Sequence, residues 1–95
     1  MSTKTFTKPF VEESIELDEL LEQEHELVVF NDDYNTFDHV IDTLIKVCEH
    51  TAEQAEQCTI LIHYKGKATV KFGNFDKLRP MRDAICERGI SAKIV

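Results

Sequence analysis

Apolar positions along the chain fall into six groups, and their spacing predicts the elements. Leu27-Val28-Val29-Phe30 is a short apolar run ending in Asn31-Asp32-Asp33, the pattern of a buried strand entering a polar loop. Phe37, Val40, Ile41, Leu44, Val47 and Cys48 recur at helical spacing, with Asn35 or Thr36 as the N-cap and Asp38 near the positive helix end. Thr51-Ala52-Glu53-Gln54 reads as a capping box opening a second helix, with Ala52, Ala55, Cys58, Leu61 and Ile62 as its apolar positions and Gly66 as its stop. Lys67 to Phe72 alternates, which places Ala68, Val70 and Phe72 on one face of a strand and Lys67, Thr69 and Lys71 on the other. After a turn at Gly73-Asn74, Phe75, Leu78, Met81 and Ile85 form a third helical stripe ended by Gly89. Pro80 lies within it, so that helix either starts near Pro80 or kinks there. Ile90, Ala92 and Ile94 alternate with polar neighbours as a last strand. The order β-α-α-β-α-β predicts an α+β fold, one small sheet with helices packed on a face.

Charge changes the picture at one end only. Residues 1–26 hold eight acidic side chains against Lys4 and Lys8, whereas the remainder is close to neutral. Ile15, Leu17, Leu20 and Leu21 are too few to fold this stretch alone, so residues 1–26 are expected to be a flexible acidic extension and 27–95 the core domain. No basic patch interleaved with aromatics suits a phosphate backbone, which excludes a nucleic-acid binder. Cys48, Cys58 and Cys86 are odd in number and contain no Cys-x-x-Cys pair. They predict small buried thiols in a reducing, cytoplasmic setting rather than a zinc or redox site. No apolar run reaches membrane-spanning length.

Two stretches could carry chemistry: Asn31-Asp32-Asp33-Tyr34, between a strand and a helix, and His63-Tyr64, just before Gly66. Turn chemistry accounts for the first as readily as function does, and His63 could simply favour the negative end of its helix. Asp32, Asp33 and His63 could also be read as an acid–base set or as metal ligands. A small metal-dependent hydrolase would need more than that. The chain has no recognisable nucleophile motif, no His-Glu-x-x-His and no glycine-rich phosphate loop.

The sequence Val28-Val29-Phe30-Asn31-Asp32-Asp33-Tyr34, the pair Val40-Ile41, and His63-Tyr64-Lys65-Gly66-Lys67-Ala68 together resemble the ClpS family of adaptor proteins, over about residues 27–95. The resemblance implies a three-stranded antiparallel sheet with three helices, and no enzyme activity or cofactor. It implies binding of the free N-terminus of substrate proteins with a bulky hydrophobic first residue (an N-degron). A ClpA- or ClpC-type AAA+ unfoldase with its peptidase would be the partner that receives them, and the adaptor itself a monomer.

By similarity, Asn31, Asp32 and His63 would hold the substrate α-amino group. That group is an ammonium near neutral pH, with three donors for three acceptors. A carboxylate supplies the charge, and His63 must be unprotonated to accept, so binding should weaken as the imidazole takes a proton. Val40 and Ile62 match pocket-lining positions, as do Phe37, Thr43 and Thr59, although Val40 and Ile62 would serve equally as plain core. Asp76 lies near a position used for contact with the unfoldase, and the extension would be engaged by the unfoldase pore. Two departures bear on preference: Phe37 stands where the family has an adaptable Met, and Thr59 where it has another. A different interaction domain of this fold, modulating an unfoldase or ribosome without recognising N-termini, would share the same pattern of elements.

Overall fold

A computed structural model describes residues 23–95 of the 95-residue chain. The stretch 1–22, most of the expected extension, lies outside the described residues. The order is β1 (His25–Phe30), α1 (Phe37–Cys48), α2 (Ala52–Lys65), β2 (Lys67–Gly73), α3 (Phe75–Glu87) and β3 (Ala92–Ile94). The three strands form one antiparallel sheet in the order β2-β1-β3, so the expected fold class holds. β1 begins two residues before the apolar run, because His25 and Glu26 still pair with Gly73 and Phe72.

Local chemistry sets the helix ends. Thr36 caps α1 by accepting from the His39 N–H, and Thr51 and Gln54 close the reciprocal capping box of α2. Asn74 caps α3, which therefore starts at Phe75 and runs through Pro80. Pro80 has no N–H to offer the carbonyl four residues back, a cost confined to the second turn. Gly66 ends α2 in the left-handed region at φ 90°, where a Cβ would be strained.

Leu27, Val29, Leu44, Cys48, Ala55, Leu78 and Ile85 fill the core between sheet and helices, each no more than 1% exposed. Ile90 belongs to the core but not to β3: its N–H returns to the Ile85 carbonyl at the end of α3. The expected alternation of β2 fails at its C-terminal half. Leu27 pairs with Lys71 and Val28 with Thr69, so Val70 is an extra residue, a bulge. One inserted residue reverses the side-chain period beyond it. Phe72, expected on the buried face, is 54% exposed, and Lys71 instead turns toward α1, where its ammonium donates to the Cys48 carbonyl.

The thiols are free. Burial pushes Cys48 up to about 11 and raises Cys58 as well. Cys86 is exposed rather than buried, against the expectation for all three. Among the described residues no helix is long and apolar enough to cross a membrane.

Leu44→Ala should lower unfolding free energy by about 2–5 kcal/mol, the cost of a cavity at a closed site. Gly66→Ala should cost about 1–2 kcal/mol through the left-handed backbone alone. Urea titrations of the two variants check both values.

Candidate functional site

The loop after β1 and the end of α2 meet through one backbone bond: Asn31 N–H donates to the Gly66 carbonyl at 2.9 Å. Gly66 N–H in turn donates to the Ile62 carbonyl. These two bonds place Asn31-Asp32-Asp33 beside Ile62 and His63, although some thirty residues separate them in sequence. A depression of about 300 Å³ opens there, lined by Asn31, Asp32, Asp33, Asn35, Thr36 and Phe37 on one side and Val40, Thr59, Ile62 and His63 on the other. That volume lies at the lower end of the range for ligand sites, room for one side chain rather than an extended molecule.

Polar groups come from the loop and the helix end, apolar ones from the helix faces beneath. Val40 and Ile62 are buried, at 9% and 3% exposure. Thr59 is buried too, and its hydroxyl donates to the Ala55 carbonyl at 2.7 Å. Its hydrogen is therefore unavailable to a ligand, and the site is less polar than a free hydroxyl would make it. Phe37, 43% exposed, packs edge-on to the His63 ring with centroids 5.2 Å apart. Tyr64 also packs edge-on to that ring, with centroids 5.4 Å apart. Aromatic edges thus orient the imidazole, worth about 0.5–1.5 kcal/mol per contact.

Asp32 is the most constrained polar group of the site. Its Oδ1 accepts from the Tyr34 and Asn35 N–H groups, both at 2.8 Å, and its Oδ2 accepts from Asn35 Nδ2 at 2.7 Å. The Asn35 backbone bond leads in holding this carboxyl below the usual range, helped by the Asn35 amide and the Tyr34 N–H. A carboxylate offers about four acceptor positions, so one remains on Oδ2. Asp33 is exposed, lines the same depression, and its carboxylate is engaged by no other side chain among the described residues. From the sequence, Asp33 belongs to the acid–base or metal set and not to the ammonium cage. Its place in a run of polar loop residues gave no way to tell which carboxylate builds the turn and which faces outward.

The structure gathers Asn31, Asp32, Phe37, Val40, Thr59, Ile62 and His63 around one opening. Thr43 is not among its lining residues. It is fully buried on α1, donating to the His39 carbonyl and accepting from Arg88 Nε. Asp76 sits in the first turn of α3, outside the depression. Among the described residues no three His, Cys, Asp or Glu side chains converge as metal ligands. A larger cleft of about 570 Å³ lies between α2 and β2, lined in part by His50, Gln54, Cys58 and Phe72. His50 there donates through Nε2 to the bulge carbonyl of Val70 at 2.6 Å, an assignment that leaves its buried Nδ1 without a partner.

The sequence model for the ATP-dependent Clp protease adaptor protein ClpS matches residues 21–92. The chain belongs to the ClpS family. It is 31% identical over 68 residues to the ATP-dependent Clp protease adapter protein ClpS of Thermosynechococcus vestitus, covering 70% of this chain and 72% of that protein. The ClpS of Acetivibrio thermocellus is 36% identical over 55 residues, covering 58% of this chain and 56% of that protein. A 58-residue stretch is 34% identical to part of the E3 ubiquitin-protein ligase UBR1 of Drosophila melanogaster, 61% of this chain but 3% of that one. The solved structure of Agrobacterium tumefaciens ClpS2 bound to L-phenylalaninamide superposes with a TM-score of 0.66 at 20% identity, covering 76% of this chain and 94% of that one. That likeness establishes the shared ClpS fold.

The depressed Asp32 carboxyl links the loop to pH. Above pH 3.8, its ordinary value, Asp32 is charged whether the chain is folded or unfolded, and its three hydrogen bonds stabilise the fold in full. Below it the unfolded chain takes the proton first, and that stabilisation is lost as pH falls through the lower folded value. Asp32→Ala should therefore be less stable than wild type at pH 7, with the gap closing below pH 3.8. Urea unfolding of both proteins across this range checks the sign.

Proposed function

We propose that this ClpS chain binds the free N-terminus of a protein whose first side chain is bulky and apolar, and carries it to an AAA+ Clp unfoldase of the ClpA or ClpC type without turning it over. The observation that carries this reading is the juxtaposition at one opening of acceptor groups and a carboxylate pair with the buried apolar surfaces of Val40 and Ile62. An N-terminal residue is the ligand with both properties on adjacent bonds: an ammonium, and a side chain one carbon away.

In this arrangement the Asn31 side-chain carbonyl and an unprotonated His63 nitrogen accept from the ammonium. Asp32 adds its remaining Oδ2 position, and Asp33 supplies a second negative charge. Charge-assisted bonds of this kind contribute about twice what neutral ones do. The first side chain enters between Val40 and Ile62 under Phe37, whose ring is stiffer than an unbranched side chain and sets an upper limit on width. Tyr34 and Tyr64, 92% and 81% exposed, flank the opening and offer apolar faces to the next residues of the substrate.

Delivery would use other parts of the chain. Asp76, at the exposed start of α3, would contact the unfoldase, and the acidic residues preceding β1 would be engaged by its pore. Acetylation of the substrate removes the charge and donors and leaves the cage unpaired, a cost of kilocalories rather than tenths.

Fluorescence anisotropy with peptides beginning in Leu, Phe, Tyr, Trp or Arg tests this. Free apolar N-termini should bind on the order of 100-fold more tightly than their acetylated forms. Asp33→Asn should weaken binding roughly tenfold, for loss of one charge-assisted bond. Equal affinity for free and acetylated peptides would instead make the chain an interaction domain that does not recognise N-termini.

A further inference from the structure

Asp32 is tied to more than its own loop. The Asn35 side chain uses both amide hydrogens: one goes to Asp32 Oδ2 at 2.7 Å, the other to the Gly89 carbonyl at 3.0 Å. Gly89 belongs to the turn between α3 and β3 and stands at φ 87°, a backbone that holds its carbonyl at a fixed angle. The same turn is anchored to α1 from the other side. His39 Nε2 lies 2.8 Å from the Arg88 carbonyl, with the ring N–H as donor. Arg88 Nε donates to Thr43 Oγ1 at 2.7 Å, and its terminal NH2 group donates to Asp42 Oδ2 at 2.8 Å. The Thr43 hydroxyl donates onward to the His39 carbonyl.

These bonds form one continuous set from Asp42 on α1 through Arg88 and Gly89 to Asn35 and the carboxylate at the opening. Every amide hydrogen of Asn35 is committed, so its side chain cannot rotate without breaking a bond to Asp32 or to Gly89. We propose that Asn35 is a positioning residue, which transmits the placement of the Arg88-Gly89 turn against α1 to the Asp32 carboxylate and so presets the acidic side of the ammonium site. This rests on the functional reading above for its effect on ligand, but the coupling itself is a property of the unliganded protein.

The geometry gives two further consequences. Thr43 acts on the site as the acceptor that fixes Arg88, not as a surface for the substrate side chain. Moreover, a partner gripping the exposed end of α3 near Glu87 and Arg88 would reach the site through Asn35, because the turn has no other side-chain bond to the loop among the described residues.

The test is a double-mutant cycle in the full chain, with Arg88→Ala and Asn35→Ala singly and together. Two readouts are taken: affinity for a Leu-initiated, free N-terminal peptide, and the pH titration of the Asp32 carboxyl carbon by NMR without ligand. Asn35→Ala should weaken the peptide on the order of tenfold, and move the Asp32 midpoint upward. Arg88→Ala should do the same more weakly in the wild-type background and nothing further once Asn35 is Ala, the mark of one connected path. Asp42→Ala, which removes the exposed acceptor of Arg88 and leaves its bond to Thr43, should shift both readouts in the same direction as Arg88→Ala by a smaller factor, likewise only while Asn35 is present, and replaces Arg88→Ala if that variant does not fold. Equal Arg88→Ala effects in both backgrounds, or none in either, overturn the proposal. A wild-type chain that binds no peptide sinks the functional reading alone, and the Asp32 titration then decides the coupling by itself.

Discussion

The left-handed turn at Gly66 is the constraint on which the site depends. Its N–H closes the last turn of α2, and its carbonyl receives the N–H of Asn31. Two segments far apart in sequence are joined through the N–H and the carbonyl of a single residue. A residue with a Cβ would pay the left-handed strain at the point where the geometry of the site is decided.

From that junction the chemistry divides by depth. The helix faces of α1 and α2 bring Val40 and Ile62 to the floor as part of the core, so a pocket for one side chain is obtained at the edge of ordinary packing. The loop above is kept polar by its own turn: Asp32 accepts three hydrogen bonds that hold its carboxyl below the usual range, which leaves Asp33 free to face outward. One acidic residue builds the loop and its neighbour supplies charge to the opening. His63 completes the opening with a ring packed edge-on against Phe37 and Tyr64.

Much of this was legible in the sequence because local chemistry and tertiary structure agree. The capping box at Thr51, the stop at Gly66 and the periodicity of α1 each act within a few residues, and the order of elements follows from them. What the sequence concealed depends on contacts between distant segments. The Val70 bulge reverses Phe72 and Lys71, and its carbonyl is held by His50, twenty residues earlier; the alternation in Lys67 to Phe72 contains no sign of it. Asn74 caps α3 early enough to carry the helix through Pro80, a competition that spacing alone leaves open. Thr43, a pocket position by the family resemblance, is buried on α1 and hydrogen-bonded to Arg88, forty-five residues later, a contact that the sequence does not display. Of the candidate site, the residue types and their clustering were readable; the division of labour between Asp32 and Asp33 was not, since it is decided by which carboxylate meets the backbone of the loop.

In the proposed function a free N-terminus binds in the small depression at the Asn31–His63 junction, not in the larger cleft between α2 and β2. Backbone amide shifts recorded while adding leucinamide, and separately its N-acetyl form, test this most directly. Saturable shifts are expected at Asn31 to Phe37 and at Ile62 to Gly66 with leucinamide, and none there with the acetylated compound. Shifts centred on His50, Gln54 and Phe72, or equal shifts with both compounds, would contradict it.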